Sequence, residues 1–244
     1  MTDIHCHILP GIDDGADTAE TSLRMARLAA ASGVKTICAT PHFQCFTEAR
    51  CRSQSELIAK RFELLKGMIN AEKIPVSLIP GAEILCMPEN ASFFKAGLIP
   101  TLGDTRYILC EFTFDEELSF MEDMLFRVAD AGYLPVIAHP ERYDAVQENL
   151  SSLSRWFDFG YTIQLNKGSI LGSFGRRAQS CALRILDAGL AHIVASDAHG
   201  TEFRTPHMTE LCDFLADRVG FDYLSILTER NPARILNGRE TVPV

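Results

Sequence analysis

The chain opens with two imidazoles two positions apart, in Asp3-Ile4-His5-Cys6-His7. On an extended strand, side chains at i and i+2 leave the same face. His5 and His7 therefore aim at one point, as two ligands of one metal must. Ser196-Asp197-Ala198-His199 repeats the device with a carboxylate and an imidazole. Both pairs close short apolar runs. His42, Glu83, Glu111 and His139 end other such runs, and Asp13-Asp14-Gly15 follows the first. Five of the seven histidines fall in this set, where chance would scatter them over helices and loops.

Asp14, Glu83, Glu111 and Asp197 repel one another if gathered without cations. An imidazole–carboxylate set lacking thiolates suits Mn, Fe or Zn, with Co and Mg as further candidates, over a soft metal. The candidate ligands His5, His7, Asp14, His42, Glu83, Glu111, His139, Asp197 and His199 are too many for one tetrahedral zinc. They suit two or three ions, with Glu83 as the bridge.

The elements that must position these residues alternate. Seven apolar or β-branched runs stand out: Thr2–His7, Thr36–His42, Ser77–Ile84, Tyr107–Phe112, Pro135–Pro140, Tyr161–Asn166 and His192–His199. Helical patterns lie between them, including about Thr18–Ser32, Ser53–Ala71, Leu118–Ala131, Asp144–Phe159 and Arg176–Ala188. This alternation predicts βαβ crossovers and a parallel sheet. In an open sheet the outer strands lie ~20 Å or more apart at roughly 4.8 Å per strand, too far to share one cluster. Only a closed barrel brings all the strand ends to one mouth.

The bulk properties agree. With 244 residues, 47% hydrophobic, the chain can build one core, and a single domain over 1–244 is expected. Its formal net charge of -9 argues against a nucleic-acid or membrane-surface partner. No stretch approaches the length of a membrane span, and no leader precedes the first strand, so a cytoplasmic protein is expected. The eight cysteines form no C-x-x-C pair and read mostly as small buried hydrophobes in a reducing compartment. Cys212 to Arg218 matches the C-x5-R of cysteine phosphatases, but in a helical pattern without glycines to cradle a phosphate. Segment 43–52 reads as a surface loop, and Arg176-Arg177 as a solvated helix start.

The motifs D-I-H-C-H-I-L-P-G-I-D-D-G, A-T-P-H, P-G-A-E-I, Y-I-L-C-E-F, V-I-A-H-P-E-R and A-S-D-A-H occur in this order over nearly the whole chain. Together they resemble the bacterial protein-tyrosine phosphatases of the polymerase-and-histidinol-phosphatase (PHP) superfamily. The resemblance implies an α/β fold, a distorted (β/α)7 TIM-like barrel, holding three divalent ions, usually Mn2+. It places His5, His7, Glu83 and Asp197 on the first ion, Glu83, Glu111 and His139 on the second, and Asp14, His42 and His199 on the third. Asp13 matches a residue that is not a ligand. Arg142 and Arg204 match the arginines that hold phosphate, for which the guanidinium fork is suited. Asp197, His199 or His207 would assist proton transfer. The implied substrate is a phosphotyrosine protein, such as a bacterial tyrosine kinase of capsule or exopolysaccharide synthesis. Histidinol phosphate is the rival substrate, and an inactive metal-binding regulator the rival from another class. The oligomeric state is not legible.

Overall fold

A computed structural model describes residues 1–243. Its strands are β1 (Thr2–Cys6), β2 (Thr36–Ala39), β3 (His42–Phe43), β4 (Ser77–Pro80), β5 (Glu83–Leu85), β6 (Tyr107–Glu111), β7 (Leu134–Ala138), β8 (Thr162–Asn166) and β9 (Ile193–Ala195). All pairings are parallel. One sheet runs β1-β2-β4 and the other β3-β5-β6-β7-β8-β9.

The two sheets are one ring. The run Thr36–His42 breaks at Thr40-Pro41, and Ser77–Ile84 breaks at Gly81-Ala82 just after Pro80. Proline has no N–H to give a ladder, so each run becomes two short strands in one stave. Pairing resumes beyond both breaks with His42 opposite Glu83. The far edges close where Cys6 bridges Ala198. There the His7 N–H donates to the Ala198 carbonyl and the Asp197 N–H to that of His5, both at 2.9 Å. Seven staves result, and every candidate ligand sits on a strand or in the turn that follows it.

The inner core joins Ile4, Cys38, Leu109, Val136, Ala138, Ile193 and Ala195, with Leu102 and Ile235 packed against them. A larger core lies between the strands and the helices outside them. These helices are α1 (Ala19–Ala31), α2 (Glu48–Ala71), α3 (Asn90–Lys95), α4 (Leu118–Asp130), α5 (Asp144–Glu148), α6 (Ser151–Asp158), α7 (Lys167–Ile170), α8 (Arg176–Asp187), α9 (Thr209–Ser225) and α10 (Asn231–Leu236). None is long and apolar enough to cross a membrane.

Three features differ from the sequence reading. The helix expected over Asp144–Phe159 is two, α5 and α6, because Asn149 turns extended and its side chain accepts from the Ser151 N–H at 2.9 Å. Helix α2 starts five residues before Ser53, where Thr47 caps it by accepting from the Arg50 N–H. Segment 43–52 is not simply a loop of free thiols. Cys45 and Cys51 are disulfide-bonded, because the reversal between β3 and α2 brings their Cα atoms to 5.2 Å. The other six cysteines are free, and five of them are buried.

His192 immediately precedes β9, at the end of that strand away from the candidate ligands, 6% exposed and stacked 4.9 Å from Phe157. Its Nδ1 accepts from the Ile163 N–H at 3.1 Å, so the ring is packed as the neutral form. Burial pushes its pKa down to about 4 from 6.5. Between these values the unfolded chain binds a proton that the folded chain refuses. Stability from this group is therefore complete above pH 6.5, lost as pH falls towards 4, and constant below, a change of about 3 kcal/mol. His192→Asn keeps an acceptor and removes the titration. Urea midpoints of wild type and variant are expected to diverge with pH across this window. Parallel curves would contradict the assignment.

Candidate metal centre

All nine candidate ligands converge at one mouth of the barrel. Glu83, 1% exposed, is at the hub. Its Oε1 lies 3.2 Å from His5 Nε2 and 3.0 Å from His139 Nε2, and its Oε2 lies 3.2 Å from His7 Nε2 and 3.1 Å from His42 Nδ1. The Asp197 carboxylate stands 3.4 Å from His5, 3.5 Å from His7 and 3.5 Å from His199. Asp14 reaches His42 at 3.4 Å and His199 at 3.3 Å. Glu111 reaches His42 at 3.3 Å and His139 at 3.8 Å.

Four groups have donor atoms mutually within 4.8 Å: His5, His7 and Glu83; His5, His139 and Asp197; His42, Glu83 and Glu111; and His7, Asp14, His42 and His199. They overlap the three sets the resemblance implied, with three shifts. His139 groups with His5 and Asp197 in place of Glu83 and Glu111. His7 also joins the Asp14 group, and His42 stands with Glu83 and Glu111.

The donor set fits divalent cations on its own chemistry. The His5 and His7 Nε2 atoms face each other at 3.2 Å, an arrangement in which one lone pair has no proton to meet unless the other ring supplies it. Buried Glu83 Oε2, Asp197 Oδ1, His42 Nδ1 and His199 Nε2 lack a well-directed hydrogen bond despite their short separations. Lone pairs aimed inward without donors are what a cation satisfies, and native structures seldom leave such groups unpaired.

Surrounding residues hold the ligands in place. Asp13 accepts from His7 Nδ1 at 2.8 Å and from the backbone N–H of His42 and Gly15. It orients His7 and fixes which nitrogen of the ring faces the centre. Gly15 permits this turn, since a Cβ there would lie 2.2 Å from the His7 carbonyl oxygen. Gln164 Oε1 takes His5 Nδ1 at 2.9 Å, and the Asn166 side-chain amide donates to Asp197. Sequence reasoning missed Gln164 and placed Asn166 only as the end of a strand run. Their signal was two amides at i and i+2 on the buried strand β8.

The electrostatics follow from this geometry. Burial works to discharge His42, Asp13, Glu83 and Asp197. For His42 it is outweighed by the Glu111 and Glu83 carboxylates, 3.3 and 3.1 Å from its Nδ1, which push the imidazole up to about 10. For Asp13 it is outweighed by the bond and charge of His7, which hold the carboxyl at about 2. Glu83 and Asp197 stay well below the usual carboxylate range, against burial, chiefly through the charge of His5. His139 and Asp197 also adopt left-handed backbone at φ 35° and 48°. Such conformations cost about 1–3 kcal/mol each and cluster where function demands them.

Both predicted arginines reach the centre. An Arg204 Nη donates to Asp197 at 2.6 Å, and an Arg142 Nη lies 3.8 Å from the same carboxylate. The Arg142 guanidinium carbon lies over the Phe114 ring at 4.2 Å and the Phe174 ring at 4.4 Å, while Phe174 also faces Arg204 at 5.6 Å. Neither phenylalanine was visible as a site residue in the sequence. The C-x5-R pair is no phosphate loop. Cys212 lies on α9 with its thiol raised by burial, the opposite of an activated nucleophile, and Arg218 pairs with Asp187 at 2.7 Å.

Comparison with known proteins agrees with this architecture. Residues 1–237 match the family described as capsular polysaccharide synthesis, CpsB/CapC. The chain is 36% identical over 242 residues to the tyrosine-protein phosphatase YwqE of Bacillus subtilis (strain 168), covering 99% of this chain and 93% of the relative. It is 30% identical over 241 residues to the tyrosine-protein phosphatase CpsB of Streptococcus pneumoniae, covering 97% and 98%. A solved structure from work on YwqE and CpsB, described as unique metal-dependent tyrosine phosphatases, superposes with a TM-score of 0.89 at 35% identity, covering 100% of this chain and 97% of that one. A TatD-like protein of Archaeoglobus fulgidus, 14% identical with a TM-score of 0.52, shares the fold alone, over 97% of this chain and 100% of that one. The chain belongs to the CpsB/CapC family of capsular polysaccharide synthesis.

Proposed function

We propose that the chain is a metal-dependent tyrosine-protein phosphatase that uses Mn2+ and acts on an autophosphorylated bacterial tyrosine kinase of capsule or exopolysaccharide synthesis. The observation that carries this reading is the meeting of nine imidazole and carboxylate donors with two guanidinium groups at one mouth of the barrel. The tyrosine-protein phosphatases among the relatives support it. His5, His7, Asp14, His42, Glu83, Glu111, His139, Asp197 and His199 would hold the ions. When bound, divalent ions supply an activated water and charge for the phosphoryl oxygens.

The chain's own groups do the rest. Arg142 and Arg204 bind and orient the phosphoryl oxygens and offset the charge that spreads over them during transfer. Asp197 holds Arg204, and Asp13 and Gln164 hold the imidazoles of His7 and His5. Phenolate has a reference pKa of about 10 and leaves more readily than an alkoxide, so little acid assistance is required of His199. The buried free thiols fit the reducing cytoplasm, with the Cys45–Cys51 bridge as the exception.

The test is hydrolysis of a phosphotyrosine peptide with and without chelator. Chelation is expected to abolish activity and Mn2+ to restore it best. Activity recovered by thiol reductant instead would point to cysteine chemistry. A strong preference for histidinol phosphate over the peptide would move the reading to a small-molecule phosphatase.

A further inference from the structure

A cavity of about 470 Å³ opens beside the centre on the Arg204 side, and apart from Arg204 on its boundary the hydrolytic account leaves it unused. None of the nine candidate ligands lines it, so it is not a place for the phosphoryl group. Asn166 and Arg204, which both touch the Asp197 carboxylate, form its boundary with the centre. Leu171, Phe174 and Phe203 make its walls apolar. Its volume lies within the range of small-ligand pockets, roughly 300–1,000 Å³.

The cavity is built into the fold. Lys167, 8% exposed, donates from its ammonium to the backbone carbonyls of Thr205 and His207, tying the loop after β9 to the start of α7. Gly168 makes room for the Phe174 ring, since a Cβ there would lie 2.6 Å from the ring edge. Phe203 stands at the rim, 84% exposed. Glu202 and Glu210 also line the cavity, and neither has an ion pair among the described residues.

These features describe an occupant that is continuous with the phosphorylated residue, apolar where it enters, and cationic where it meets two free carboxylates. We propose that the cavity is a substrate subsite that takes an apolar side chain flanking the phosphotyrosine of a peptide whose adjoining residue is basic. This rests on the phosphatase reading above. It goes further by assigning sequence preference to Leu171, Phe203, Glu202 and Glu210, at positions apart from the reacting atoms.

The experiment compares kcat/KM of the Mn2+-loaded enzyme on three substrates. They are p-nitrophenyl phosphate, a phosphotyrosine peptide flanked by Phe and Lys, and the same peptide flanked by Gly and Glu. Wild type is expected to prefer the Phe/Lys peptide about tenfold, the order of discrimination one apolar contact in a pocket supplies. Leu171→Trp, which fills the cavity, and Phe203→Ala, which removes an exposed ring without disturbing the core, are expected to erase that preference. Both should leave p-nitrophenyl phosphate within about twofold of wild type. Glu210→Lys is expected to turn the preference towards the Gly/Glu peptide. Equal wild-type rates on the two peptides would overturn the subsite. Equal losses on all three substrates in Leu171→Trp and Phe203→Ala would place the aryl leaving group in the cavity and overturn it likewise. If wild type hydrolyses none of the three, the phosphatase reading falls and the subsite with it.

Discussion

Glu83→Ala is expected to strip bound metal from the protein and to lower kcat by about a thousandfold or more, the upper range for losing one preorganised electrostatic group and the scale on which metal sites act. Among the described residues no other carboxylate touches four imidazoles at 3.0–3.2 Å. Its two oxygens face different ring pairs, so truncation disconnects His5 and His139 from His7 and His42. A neighbouring acid has little room to substitute, because Asp197 is already engaged by Arg204 and Asn166. Folding should suffer as well. Removing one partner from a buried charged cluster leaves the others uncompensated and costs about 3–5 kcal/mol. Elemental analysis of the purified variant is the decisive measurement. Full metal content would show that Glu83 is not the bridge, whatever happens to the rate. Glu83→Gln keeps the volume and one acceptor oxygen, and separates loss of charge from loss of packing. It is expected to retain the fold and still bind metal poorly.

Much of this site was legible in the sequence because its logic is local. His5 with His7, and Asp197 with His199, are pairs at i and i+2 whose common direction follows from extended backbone. The slip in β1 pairing between Asp3 and Cys6 did not separate the two imidazoles. His42 and Glu83 were legible as run ends, although the reason they stand opposite each other was not. Pro41 and Pro80-Gly81 break two staves at the same level, and that break sets the His42–Glu83 register. Contacts between distant stretches left no local trace. Phe114 and Phe174 meet Arg142 only because the β6–α4 loop and the segment before α8 fold over the turn after β7. Arg204 was the less legible of the two arginines for the same reason, since it lies in an irregular loop at φ 48°. The disulfide was missed because both its cysteines also suit a buried apolar reading, and only the reversal into α2 brings them together.

Arg142→Ala is expected to lower kcat/KM for p-nitrophenyl phosphate about a hundredfold while leaving the metal content intact, as befits the loss of one preorganised donor to a transferring phosphoryl group. Arg142 follows His139 by three residues, in the turn Pro140–Arg142, and is 18% exposed, so it faces the mouth without being a ligand. Its guanidinium carbon stands over two phenyl rings, with Phe114 anchored by the Asp144 N–H, which donates to its carbonyl at 2.8 Å. These contacts hold the fork in place before substrate arrives, so less freedom is left to be lost on binding. A lysine would keep the charge and lose the plane. Arg142→Lys is therefore expected to recover only a minor part of the activity, because an ammonium neither stacks on the rings nor offers two parallel donors. Inorganic phosphate gives an independent readout, since its inhibition constant should rise in both variants. If the Lys variant matched wild type, charge alone would account for the residue and the two phenylalanines would have no part in catalysis. If the Ala variant kept its kcat/KM, Arg142 would not be a phosphate ligand, and Arg204 would have to serve alone.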